Sequence, residues 1–283
     1  MSIPFVGADE VKRRLSAARA ADALEAALRA GLDPEADPPR SAIEVDRGEV
    51  LVMASPAARH PVVKLVSVGG APRIQGVCVV FDGATLAPLA LIDGIALTNL
   101  RTSAVSALAV RHLAPADARR LVVFGRGPQA RAHELALREV RPLERVDVVG
   151  RDSARAEVDE LVARADLVCC CTTAREPLFD GGLVPDHATV VAIGSHEPGA
   201  RETDDALAAR ATVVVESRSS ALREAGDVIQ AIDAGAATAD ELVTLAELVR
   251  GERAPAAAHP RLFKSTGMSW EDAVVAAELT EHV

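Results

Sequence analysis

Residues 121–130, reading LVVFGRGPQA, constrain the fold more than any other stretch of this chain. The apolar run Leu121, Val122, Val123 and Phe124 has the character of a buried strand and passes straight into Gly125-Arg126-Gly127-Pro128-Gln129-Ala130 at the head of a helical pattern. In a G-x-G-x-x-A turn of this kind, Gly125 permits the tight reversal and Gly127 lets a pyrophosphate approach the backbone. Ala130 allows close helix–strand packing, and Pro128 and Gln129 open a helix whose N-terminus favours negative charge. Glycine turns between strand and helix are common, so it is the βαβ setting that makes this one a dinucleotide site.

That setting is clear from residue 120 onward. Strand patterns at 121–124, 145–149, 167–171, 189–193 and 212–215 alternate with helical patterns at 129–139, 153–164 and 204–209. The alternation predicts an α/β fold containing a Rossmann-type, doubly wound parallel sheet. Between the second strand and Leu167 there is room for one helix and no further strand, so a trimmed sheet edge is expected.

The preceding region has a different period. Residues 49–53, 61–68 and 74–81 are rich in Val and Ile and are separated by Asp46-Arg47-Gly48, Gly69-Gly70 and Asp82-Gly83, which predicts an antiparallel sheet. One helix is expected over 8–29, with Ala17, Ala21, Leu24 and Leu28 on its apolar face, and another over 100–113, capped by Thr98 or Asn99. Pro115 is expected to mark the domain boundary, and Leu262-Phe263 to form a short strand returning to the first region. The expected division is an α+β domain of residues 1–114 with 256–283, and a dinucleotide-binding domain of residues 115–255.

Composition removes several function classes. The 283 residues carry 31 Lys plus Arg against 41 Asp plus Glu, a net charge of −10, with no basic run, and Tyr is absent. Nucleic acid is therefore not an expected partner. The apolar runs are interrupted well short of a bilayer span, and the opening residues lack a secretory pattern, so no membrane association and a cytoplasmic location are expected. The cysteines are Cys78 and the consecutive Cys169, Cys170 and Cys171, a spacing that suits neither a disulfide framework nor a C-x-x-C metal knuckle and reads as buried thiols of a reduced protein. His60, His112, His133, His187, His259 and His282 show no paired ligand spacing, so no metal is expected.

Three cations stand out. Where an acidic residue would hold the ribose of NAD, the end of the second strand reads Val149-Gly150-Arg151-Asp152. Arg151 would suit a 2′-phosphate, making NADP(H) the preferred cofactor, whereas an inward Asp152 would keep NAD(H) open. Arg101 lies in the first turn of its expected helix, which makes sense if an anion sits there; the alternative is an exposed Arg paired with Asp93. Lys64 shares an apolar strand face with Val62 and Val66 and is either an edge guard or a functional cation.

With these residues in hand, the chain resembles the ornithine cyclodeaminase and mu-crystallin family from about Pro39 to Ala277. The carrying residues are Lys64, Gln75-Gly76 through Asp82, Leu91-Ile92-Asp93-Gly94, Leu97-Thr98, Arg101-Thr102-Ser103-Ala104, the Gly125 loop, Thr172-Thr173-Ala174, Ala192-Ile193-Gly194-Ser195, Gly226-Asp227 and Phe263-Lys264-Ser265-Thr266-Gly267. The resemblance implies a homodimer paired through the first region's sheet, and a nicotinamide site using Thr102, Thr172, Thr173, Gly194, Ser265 and Gly267 besides the Gly125 loop. It also implies that Lys64 and Arg101, joined by Arg40 and Gln75, bind a small α-imino, keto or amino acid.

Two departures bear on chemistry. Cyclodeaminases of this family carry an essential Asp where this chain has His196, and Arg73 replaces a small hydroxyl residue, adding a cation that would suit a second substrate carboxylate. The expected function is therefore an NAD(P)H-dependent reductase of a small α-imino acid, with Lys64, Arg101 and His196 as catalytic candidates. The alternatives are an ornithine or lysine cyclodeaminase using catalytic NAD, and a non-catalytic NADPH- and ligand-binding protein of mu-crystallin type.

Overall fold

The computed structural model describes residues 3–70, 72–256 and 258–281. In chain order its principal elements are β1 (Phe5–Val6), α1 (Ala8–Arg14), α2 (Ala17–Arg29), β2 (Ser41–Val45), β3 (Gly48–Ser55), β4 (Val62–Val68), β5 (Ile74–Phe81), β6 (Pro88–Asp93) and α3 (Gly94–Leu113). They continue as β7 (Arg120–Phe124), α4 (Pro128–Val140), β8 (Arg145–Val149), α5 (Arg155–Val162), β9 (Leu167–Cys170), β10 (Thr189–Ala192), α6 (Asp205–Ala208) and β11 (Thr212–Val215). The chain ends with α7 (Arg218–Glu224), α8 (Gly226–Asp233), β12 (Val243–Thr244), α9 (Leu245–Arg250), β13 (Arg261–Lys264) and α10 (Ser269–Leu279). Among the described residues no helix is long and apolar enough to cross a membrane.

Two compact units result, Met1–Val105 with Met268–Val283, and Ser106–Gly267. The first holds a six-stranded sheet in the order β1-β6-β5-β4-β3-β2, antiparallel except where β1 joins β6. Strand alternation puts Leu51, Met53, Val62, Val66, Cys78 and Val80 on one face, all buried, and α10 packs on β3, β4 and α2. The other face presents Ile43, Val45 and Leu65 at the surface.

The second unit holds a seven-stranded parallel sheet in the order β12-β11-β13-β10-β9-β7-β8. Its inner strands are four or five residues long and almost uniformly buried, such as Leu-Val-Cys-Cys in β9 and Thr-Val-Val-Ala in β10. Continuous apolar runs of this kind belong to parallel strands covered on both faces. β8 lies at the edge beside β7, with no strand beyond it among the described residues.

Several expectations are corrected. The strand containing Leu262 and Phe263 does not return to the first region: β13 pairs on one side with β10 and on the other with β11. Leu262, Phe263 and Lys264 are all buried, and a strand so enclosed needs ladder partners on both edges, so residues 256–267 belong to the second unit rather than the first. Pro115 follows the end of α3 and is not the unit boundary, which falls inside that helix at Val105/Ser106. The expected helix over 8–29 is two helices, because the hydroxyl of Ser16 accepts from the Arg19 N–H and starts α2 afresh. Helix α3 begins at Gly94, where Asp93 Oδ1 accepts from the N–H groups of Ile95 and Ala96, so neither Thr98 nor Asn99 is its cap.

Candidate active site

The early start of α3 moves Arg101 out of the first turn, so the helix dipole does not explain it. Arg101 is buried and Asp93 is not its partner: Arg101 Nη1 lies 2.6 Å from Glu271 Oε2 and Nε lies 3.2 Å from Asp272 Oδ1. Lys64 is buried beside it, with Nζ at 2.8 Å and 2.7 Å from the two Asp272 oxygens. An edge guard is ruled out, since β4 is internal, between β3 and β5. Two cations and two carboxylates thus close a buried, formally neutral cluster, the arrangement in which buried charge is tolerated. Burial, with Arg101 adding repulsion, lowers the Lys64 pKa from the ordinary lysine value to about 8, against the pull of Asp272.

Glu271 and Asp272 sit in the first turn of α10. That turn is held by Asp37, whose Oδ2 accepts from the Trp270 N–H at 2.7 Å. Burial raises the Asp37 carboxyl to about 6, opposed by hydrogen bonds from Ser55 and Trp270. Arg40, half-buried, follows three residues after Asp37 on the segment leading to β2. Arg73 and Gln75 do not join the cluster. Arg73 is exposed in the turn before β5; Gln75 pairs with Ser67, so its side chain lies on the sheet face opposite Lys64, and its Nε2 donates to the Pro72 carbonyl.

In the second unit the expected cofactor residues gather at the C-terminal ends of parallel strands. Gly125, Gly127, Pro128, Gln129 and Ala130 follow β7, Thr172 and Thr173 follow β9, Gly194 follows β10, and Ser265 and Gly267 follow β13. Ligands of open α/β sheets bind there, at the point where successive connections diverge, here between β7 and β9. Gly125 has φ +111°, and an added Cβ would meet the Cys171 carbonyl oxygen at 2.5 Å. Above Gly127 a Cβ would meet nothing within 4 Å. α4 begins with Pro128, without a side-chain cap, and the buried Gln129 Oε1 has no hydrogen-bond partner; Thr102, whose buried Oγ1 likewise has none, belongs to the first unit, on α3. An open cradle over uncapped amides fits the pyrophosphate of a dinucleotide.

At the end of β8, Asp152 is paired with Arg126 at 2.8 Å, while Arg151 is exposed. His196 is half-buried in the loop after β10, two residues beyond Gly194.

Three buried carboxylates hold these loops, and of them only Asp227, in Gly226-Asp227, is among the residues that carry the family resemblance. Glu202 accepts from the Thr172 N–H and hydroxyl and from the Gly194 N–H, each at 2.8 Å, tying the ends of β9 and β10 together. Asp227 accepts from the N–H groups of Glu202 and Thr203 and pairs with Lys264 Nζ at 2.9 Å. Glu216 accepts from the Ser265 hydroxyl at 2.7 Å and from the N–H groups of Thr266 and Gly267. The hydroxyls of Thr172 and Ser265 therefore serve the loops' own conformation. Glu202 and Glu216 carry no legible signal in the sequence, whereas Glu271 and Asp272 do, as two adjacent acids in a largely apolar C-terminal helical segment.

Comparison with known proteins agrees with this geometry. The family model for the ornithine cyclodeaminase/mu-crystallin family matches residues 4–283. Ketimine reductase mu-crystallin of Rattus norvegicus is 33% identical over 303 residues, covering 96% of this chain and 95% of that protein. Delta(1)-pyrroline-2-carboxylate reductase of Colwellia psychrerythraea is 32% identical over 235 residues, covering 74% of each. The structure of Thermococcus litoralis Delta(1)-pyrroline-2-carboxylate reductase in complex with NADH and L-proline superposes with a TM-score of 0.89 at 27% identity, covering 99% of this chain and 97% of that one. By its matched length, its parallel sheet and its loop residues, this chain belongs to the ornithine cyclodeaminase/mu-crystallin family.

Proposed function

We propose that the protein is a nicotinamide-dependent reductase of a small α-imino acid. The observation that carries the reading is Lys64: a buried ammonium with its pKa lowered to about 8, set beside a buried guanidinium by one shared carboxylate. Such a group releases a proton near neutral pH, as reduction of a C=N bond requires. When bound, the nicotinamide supplies the hydride that goes to the α-carbon. Lys64 Nζ gives the proton that balances the new C–H and N–H bonds. Arg101, with its orientation set by Glu271 and Asp272, takes the α-carboxylate. Because Lys64 and Arg101 are already neutralised by Asp272 and Glu271, a substrate carboxylate calls for a further cation, and Arg40, close in sequence to the Asp37 anchor, is the one proposed.

The relatives named above support imine reduction, being a ketimine reductase and pyrroline-2-carboxylate reductases. His196, at the position where the resemblance places the cyclodeaminase Asp, weighs against the lyase alternative. NADP(H) is the proposed preference: Arg151 lies just past the end of β8, and Arg126, in the loop after β7, reaches across to hold Asp152. A homodimer is proposed through the first unit's outer sheet face, where Ile43, Val45 and Leu65 are exposed. The experiment is nicotinamide absorbance with purified protein, NADPH or NADH, and a panel of cyclic ketimines and α-keto acids with ammonia or methylamine. Substrate-dependent oxidation of the cofactor is the expected result; ammonia release from ornithine or lysine without net cofactor turnover would replace this reading with the lyase.

A further inference from the structure

The three consecutive cysteines do not act as one block. Period-two alternation sends Cys170 into the apolar core with Val168, Val190 and Ala192, while Cys169 and Cys171 share the other face of the β9 segment. Their sulfurs lie 3.6 Å apart. His133, fully buried on α4, completes a group in which one ligand atom from each residue lies within 4.8 Å of the other two. His133 Nδ1 is 2.8 Å from the Gln129 carbonyl oxygen, which can only accept, so Nδ1 carries the hydrogen and the lone pair belongs to Nε2. A backbone carbonyl on one ring nitrogen is the usual way a histidine is oriented for metal binding through the other. The Ser106 hydroxyl stands 2.9 Å from that Nε2.

From these positions we propose a binding site for one thiophilic d¹⁰ cation, with Zn²⁺ as the reference ion, held by Cys169 Sγ, Cys171 Sγ and His133 Nε2. Tetrahedral zinc with Zn–S bonds of about 2.3 Å sets its two sulfurs about 3.8 Å apart, close to the separation already present. Binding releases two thiol protons to solvent, and the two thiolates cancel the dication, so the buried site carries no net charge. The cation replaces the Ser106–His133 hydrogen bond, and a water reached past the half-buried Cys171 fills the fourth position. The Cys171 N–H donates to the Phe124 carbonyl, and the Cys171 carbonyl abuts Gly125, so the site lies directly beneath the dinucleotide loop. The proposal is independent of the reductase reading.

The test uses full-length protein, reduced and stripped with chelator, titrated with Co²⁺ as a spectroscopic probe and then with Zn²⁺. The expected result is one equivalent bound with a thiolate-to-cobalt charge-transfer band, displaced by Zn²⁺. The band should be lost in Cys169→Ser, Cys171→Ser and His133→Gln, with at least ~100-fold weaker Zn²⁺ binding, and kept in Cys78→Ser. Cofactor binding and far-UV circular dichroism establish that each variant is folded. Alkylation of the wild type needs no variant: Zn²⁺ should slow modification of Cys171 and leave that of Cys78 unchanged. Absence of a saturable equivalent in the wild type, its persistence in the Cys169→Ser/Cys171→Ser double variant, or equal alkylation with and without Zn²⁺ would overturn the proposal.

Discussion

Asp272 lies against Lys64 with both carboxylate oxygens within 2.8 Å of Nζ, and one of the same oxygens reaches Arg101 Nε. One side chain on α10 therefore fixes two cations that come from β4 and α3. Removing a single partner from a buried ion cluster leaves uncompensated charge and costs about 3–5 kcal/mol. Asp272→Asn should lower the midpoint of chemical denaturation by a corresponding amount. The same change removes the attraction that holds the Lys64 pKa up, so the pH limb assigned to Lys64 should move below 8.

Lys64 itself makes a prediction about pH. Its proton is present below about 8 and absent above, so kcat/KM for imine reduction should fall as pH rises through about 8, while oxidation of the amino acid should rise. Lys64→Met should reduce kcat/KM by about 10²-fold or more, in the range general acid catalysis supplies, and leave cofactor affinity unchanged. An unaltered pH profile in that variant would remove Lys64 from the proton step.

Asp37 offers a test of linkage. Its carboxyl titrates at about 6 in the folded protein against 3.8 for the ordinary group, so the folded state holds the proton more tightly. That contribution to stability is complete below pH 3.8 and lost as pH rises through 6. Asp37→Asn keeps an oxygen for the Trp270 N–H but cannot ionise. The difference in melting temperature, variant minus wild type, should therefore be more positive at pH 7.5 than at pH 4; a difference that does not change with pH would remove Asp37 as the source.

The two loop glycines should separate folding from binding. Gly125→Ala places a Cβ 2.5 Å from a backbone oxygen at positive φ and should destabilise the second unit. Gly127→Val extends into open space and should leave the melting temperature nearly unchanged while weakening dinucleotide affinity by ~10-fold or more. Equilibrium titration of the cofactor, read beside thermal denaturation, checks both.

Cofactor choice is testable at the end of β8. Arg151→Ala should raise KM for NADPH by ~10-fold and change KM for NADH little, as loss of a 2′-phosphate partner requires. Equal effects on both cofactors would assign Arg151 to the surface alone.

Much of this protein is legible in its linear order, because the signals are local. The Gly125 loop, the apolar strands of the parallel sheet, the Val- and Ile-rich antiparallel strands and the cations Lys64 and Arg101 all declare themselves within a few residues, through side-chain period, turn chemistry and charge placed in apolar surroundings. Tertiary structure decided what those groups are attached to. Nothing local reveals that β13 inserts between β10 and β11, since strand pairing is set by backbone ladders between distant segments. Likewise Asp272 meets Lys64, Glu202 meets Thr172 and Gly194, and His133 meets Cys169 and Cys171 only because packing brings helices and loops onto strand ends. Buried charges and polar groups must find partners wherever the fold supplies them, and that requirement is satisfied in space, not along the chain.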